Sequence, residues 1–139
     1  MKLISKLAVT SAVLALAFIS TATAQSMRID VPFGFQAGNS SLPAGTYTVE
    51  MNQRTHRVKL NQLDGKSNCF LMVKAFNGAG LVDRGSLVFT QHGSSYFLKR
   101  VKTAGVEGGA ELFTSKTESE LAKVRPASKN ETVIIASGR

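Results

Sequence analysis

The sequence predicts an all-β domain: a single antiparallel β-barrel or β-sandwich with one short helix near the C-terminus. Three observations carry this. Apolar side chains recur at every second residue over much of residues 25–139, the repeat of a strand with one buried face. Turn residues interrupt the rhythm roughly every 8 to 12 residues, as in two-layered or closed sheets. One stretch alone, 115–124, carries a helix start signal.

In chain order, Met27, Ile29, Val31, Phe33 and Phe35 alternate with Arg28, Asp30, Pro32, Gly34 and Gln36. This is a half-buried strand whose regular pairing ends at Pro32, or which lies at an edge, because proline has no N–H for a ladder. Phe33 and Phe35 share a face and are expected to anchor the core. Residues 38–41 read as a polar loop. Leu42-Pro43-Ala44-Gly45 then suits a type I turn, since proline presets φ at the second position. That turn returns Tyr47, Val49 and Met51 beside the first strand. Further strands are expected at 57–62 and 68–76, separated by the turn residues Asp64-Gly65.

Residues 87–92 and 95–101, joined by Gly93-Ser94, form the clearest hairpin. A regular two-residue loop pairs His92 with Ser95, Gln91 with Tyr96, Phe89 with Leu98 and Leu87 with Arg100. One face then carries Leu87, Phe89, Tyr96 and Leu98; the other carries Val88, Thr90, Phe97, Lys99 and Val101. Residues 103–109 read as irregular and glycine-rich. Ser115 followed by Glu118 is a capping box that starts a helix over 116–124, and Pro126 ends it by disfavouring helical geometry at Arg125. The β-branched run Thr132-Val133-Ile134-Ile135 favours a last strand.

Residues 1–24 predict export. Lys2 and Lys6 precede an apolar run, 7–19, broken only by Thr10 and Ser11, and Ala22-Thr23-Ala24 supplies a small-x-small cleavage site. The run is shorter than the roughly 18 to 20 residues that span a bilayer, and no transmembrane segment is expected in the mature protein. The expected organisation is a signal peptide, 1–24, followed by a single β domain, 25–139, in the periplasm or outside the cell. Cleavage before Gln25 leaves fifteen basic and nine acidic residues, a net charge of +6. The charge is scattered rather than blocked, which argues against a nucleic-acid tail; it reads first as a soluble surface with a positive bias, with attraction to anionic envelope polymers or lipid headgroups as the functional alternative.

Catalytic and metal chemistry are thinly represented. Cys69 is the single cysteine, so no internal disulfide forms, and its apolar neighbours give it the character of a small buried hydrophobe. His56, His92 and Cys69 lack zinc-ligand spacing, and no cofactor or metal is expected. The carboxylates show no paired arrangement for glycoside hydrolysis, the glycines at 105, 108 and 109 lack the setting of a phosphate loop, and no G-x-S-x-G elbow is present.

Three segments carry a family likeness: Val31-Pro32-Phe33-Gly34-Phe35, Leu42-Pro43-Ala44-Gly45-Thr46-Tyr47-Thr48-Val49, and Tyr96-Phe97-Leu98 ahead of Glu120-Leu121-Ala122-Lys123. Together they resemble a group of small, exported, uncharacterised bacterial proteins with V-P-F-x-F, L-P-A-G-x-Y-x-V and Y-F-L segments in that order. Members often have a tryptophan after Y-F-L, where this chain has Val101-Lys102. The resemblance implies a compact exported β domain and transfers no site residues.

The functional expectation is a non-catalytic binding or interaction module of the bacterial envelope, taking an envelope polymer, a protein or a small apolar ligand and no nucleic acid. The expected interaction patch is Val88, Phe97 and Val101, rimmed by Lys99 and Lys102; the alternative is that the helix over 116–124 covers it. Two alternatives remain open: a small secreted hydrolase or isomerase using His92 with Tyr96 or a nearby serine, and a barrel holding an apolar ligand in its interior.

Overall fold

A computed structural model describes residues 25–78, 80–128 and 131–136; the expected signal peptide lies outside them. The strands are β1 (Gln25–Val31), β2 (Phe35–Ala37), β3 (Ser40–Leu42), β4 (Gly45–Asn52), β5 (Arg57–Gln62), β6 (Asn68–Phe76), β7 (Ser86–His92), β8 (Ser95–Lys102), β9 (Gly109–Leu112) and β10 (Thr132–Ile135), with one helix, α1 (Lys116–Val124), before the last. The all-β class with a short late helix is therefore what forms.

Strands β1, β4, β5 and β6 make an antiparallel run in which Ile29 faces Tyr47 and Met27 faces Val49. After Met72, β6 leaves β5 and pairs with β9 from Val73 onward. One strand thus joins two halves of a single sheet. The second continues β9–β8–β7–β10. The N-terminal part of β8 also takes β2 in parallel at Gln36–Phe97, and β2 forms a small hairpin with β3.

The sheet is open and mixed, which corrects the expectation of a closed or wholly antiparallel barrel. A barrel would need a ladder between β1 and β10. Among the described residues β1 pairs with β4 alone and β10 with β7 alone. The two edges do come close: Ala136 N–H donates to Gly85 O at 2.8 Å, and Gly85 sits where any Cβ would strike the Met27 sulfur.

Alternation fixes the core. Tyr47, Val49 and Met51 of β4, Val58 and Leu60 of β5, and Cys69, Leu71 and Val73 of β6 point inward. They meet Phe35, Leu42, Leu87, Phe89, Leu98, Val101 and Leu112. Phe33, Phe35, Tyr47, Phe89 and Tyr96 form an aromatic cluster, with Phe33 stacked on Tyr96 at 3.9 Å and Phe35 edge-on to both Tyr47 and Phe89. The Tyr47 hydroxyl donates to Pro43 O, which ties the Leu42–Gly45 turn to the core. Burial, and secondarily the Asp64 carboxylate, raise the Tyr47 pKa above 10.0.

Two departures from the regular alternation have physical causes. The long first strand is split at Pro32, as its missing N–H requires; β1 stays with β4, while Phe35–Ala37 crosses to β8. The hairpin β7–β8 contains a bulge, because Phe89 faces Leu98 but Val88 faces Arg100, leaving Lys99 as an extra residue. Leu87 consequently faces Val101 rather than Arg100. Side-chain direction inverts beyond the bulge, and Val101 turns into the core.

Candidate interaction surface

The bulge disperses the five patch residues predicted from the sequence. Val101 is an inner core residue. Val88 lies on the outer face between Val133 and Arg100 and is buried. Phe97 is only 2% exposed and lies beside the helix, in a hollow it shares with Thr117, Leu121 and Val124. Lys99 is 3.1 Å from the Glu131 carboxylate, and Lys102 reaches the Phe76 ring. These residues do not form a continuous exposed apolar patch.

The outer face at this end is closed by α1. Ser115 Oγ accepts from Glu118 N–H at 3.1 Å, the predicted cap, and the chain leaves the helix through Arg125 N–H to Leu121 O at 2.7 Å. His92, 4% exposed, joins helix to sheet. Its Nδ1 lies 3.0 Å from Arg125 O, its Nε2 lies 3.4 Å from Glu118 Oε1, and its ring is edge-on to Phe97 at 5.6 Å. Tyr96 sits on the opposite side of the hairpin against Phe33, so the structure does not bring His92 and Tyr96 together. Both ring nitrogens of His92 face acceptors across the helix junction, the geometry of a fastening.

A different outer face is left open. On β6, Cys69, Leu71 and Val73 go inward, so Phe70, Met72, Lys74 and Phe76 go outward. Phe70 is 69% exposed, Met72 70%, and Phe113, just past β9, 60%. All three border one hollow of about 430 Å³, between the β2–β3 turn (Gly38, Asn39, Ser40) and the segment entering α1 (Thr114, Ser115, Lys116). Gly38 makes that turn with φ of 59°, a conformation glycine adopts without steric cost.

Cations are threaded through this apolar surface. Lys59 Nζ stands 5.5 Å over the Phe70 ring and Lys74 Nζ 5.9 Å over Phe113. Arg57 faces Met72 across β5–β6, and Lys116 lines the hollow. Farther along, Arg100 stacks on Phe76 at 4.3 Å. Cation–π geometry of this kind holds a positive charge against a ring without neutralising it. The nearby carboxylates are Glu50, which faces Lys59 across β4–β5, Glu111, 3.6 Å from Lys74 and 3.8 Å from Arg100, and Glu131, 3.4 Å from Arg100. The face is apolar, aromatic and predominantly positive.

A smaller cavity, about 240 Å³, opens at the far end of β6, where Met51, Val73 and Ala110 make an apolar floor and His56, Lys74 and Glu107 stand at the border. His56 has a left-handed backbone, φ 51°, and its carbonyl accepts from Val73 N–H at 3.0 Å. Among the described residues no cluster of three or more His, Cys, Asp or Glu side chains is placed to hold a metal ion, and no helix is long and apolar enough to cross a membrane.

Sequence reasoning set the patch on the β7–β8 hairpin, where Val88, Phe97 and Val101 are buried, and overlooked Phe70, Met72 and Phe113. The signal for the first two was present. In the run Cys69-Phe70-Leu71-Met72-Val73 a strand must send alternate members to opposite sides, so one side of it had to be covered or bare. Phe113 carried no such signal, because it follows β9 (Gly109–Leu112), a strand too short to display a period. No protein-family profile, curated protein or solved structure matches the chain.

Proposed function

We propose that this protein is an exported, non-catalytic binding module of sandwich-like β architecture, and that it engages an anionic partner through the outer face of β5, β6 and β9. The observation that carries the reading is the placement of Phe70, Met72 and Phe113, three large apolar side chains well over half exposed, beside Lys59, Lys74 and Lys116. A contiguous exposed apolar surface is costly to leave in water and marks interaction sites. The lysines set the sign of the partner. Export rests on the leader-like residues 1–24, and the resemblance to small exported β proteins agrees with it.

The test uses protein recovered from an exporting host, its N-terminus read by mass spectrometry. Two anionic probes are offered, dextran sulfate and vesicles containing phosphatidylglycerol, with neutral dextran and phosphatidylcholine vesicles as controls. Binding to at least one anionic probe, lost in the Phe70→Ser/Phe113→Ser double variant, supports the reading. A folded protein that binds neither probe, or a double variant that binds as the wild type does, overturns it.

A further inference from the structure

We infer that the partner of this face is the surface of an anionic phospholipid membrane, on which the protein docks reversibly. The inference rests on the binding-module reading above and narrows it to one class of partner. Phe70, Met72 and Phe113 enter the boundary between headgroups and acyl chains, while Lys59, Lys74, Lys116 and Arg57 stay at headgroup level against the lipid phosphates.

Three features favour a membrane over a single-stranded nucleic acid, the other polyanion that basic and aromatic sheet faces accept. Nucleobases bind by stacking on free aromatic faces. Here one face of each ring already carries one of the chain's own cations, Lys59 over Phe70, Lys74 over Phe113 and Arg100 over Phe76. The apolar set also includes Met72, between Phe70 and Lys74 along the strand, which offers no flat surface to a base but inserts readily among acyl chains. The layout is that of an interfacial anchor: apolar tips project outward and long basic side chains lie beside them, able to keep their charge in the wet layer. Glu111 does not oppose this arrangement, since Lys74 and Arg100 flank it.

The chain contains no tryptophan, so Phe70→Trp installs a single reporter at the centre of the face. On adding vesicles of phosphatidylglycerol and phosphatidylcholine, its emission should shift to the blue and become protected from an aqueous quencher. Pure phosphatidylcholine vesicles should leave it unchanged. In co-sedimentation, Phe113→Ser with Met72→Ser should weaken vesicle affinity by about tenfold or more, and Lys59→Gln and Lys74→Gln by about fivefold each. Unaltered unfolding midpoints in these variants separate lost docking from lost structure. Vesicle binding with no change in tryptophan emission overturns the inference, because the face is then not what docks. If dextran sulfate binds through Phe70 and Phe113 while vesicles do not, the membrane assignment falls and the binding-module reading stands. If oligo(dT) binds and the same phenylalanine substitutions abolish it while vesicles remain unbound, the partner is a nucleic acid.

Discussion

Two outward-facing regions of the same sheet carry phenylalanine, and the fold treats them oppositely. At the N-terminal end of β8, Phe97 is closed over by α1, with His92 fastening the helix to the sheet through Arg125 O and Glu118. Across β6 and β9, Phe70 and Phe113 stand open beside lysines. The chain therefore covers Phe97 beside its helix and, among the described residues, leaves Phe70 and Phe113 well exposed. Phe97 contributes to folding; Phe70 and Phe113, on this reading, contribute to what the folded protein meets.

Substitutions at both places test that division. The largest effect is expected at Phe97→Ala, which should lower the unfolding free energy in urea by about 3–5 kcal/mol, the usual range for a buried phenylalanine. His92→Ala follows. It removes the junction's hydrogen bonds and its edge contact with Phe97, and should cost about 1–3 kcal/mol. Hydrogen exchange should show the loss first in the amides of α1, and equal deprotection of β4 and β5 would argue against a local fastening.

Tyr47→Phe should cost about 1 kcal/mol at neutral pH, by removing the hydrogen bond to Pro43 O. It also makes a signed pH prediction. The folded pKa of Tyr47 is raised, so the neutral hydroxyl's contribution is complete below pH 10.0, its ordinary pKa, and is lost as pH rises through the higher folded value. The wild type should lose stability more steeply than Tyr47→Phe in that alkaline range. Parallel curves would mean that the phenol ionises without consequence.

The smallest effect sharpens the comparison most. Phe70→Ser and Phe113→Ser should each change stability by no more than about 0.5 kcal/mol, as surface substitutions do. A loss at Phe70 as large as that at Phe97 would erase the distinction between covered and open faces.

Much of this architecture was legible beforehand. The period of two located β1, β4, β5 and β6, where buried and open residues alternate, and the Gly93-Ser94 turn between apolar runs located β7 and β8. Ser115 and Pro126 bounded the helix through cap chemistry and ring sterics. The β2–β3 hairpin and β9 escaped notice, since three or four residues are too few to display a period. The bulge at Lys99 was also invisible: an extra residue leaves composition unchanged, and the break it makes in the alternation of β8 shows only once the partner strand is in place. That single residue sent Val101 into the core and so removed one member of the predicted patch. The open face was half legible, because alternation over 69–73 forces Phe70 and Met72 outward, whereas their proximity to Phe113 depends on β6 changing partners midway.

The pairing of β10 with β7 has a consequence for biogenesis. β7 receives its second neighbour from Thr132–Ile135, which follows α1 in the chain. A nascent or prematurely terminated polypeptide that stops before Thr132 leaves the backbone edge of Leu87, Val88 and Phe89 without its ladder, an invitation to pair with another molecule. Docking of β10, rather than formation of the first hairpins, is the step that seals this strand against self-association.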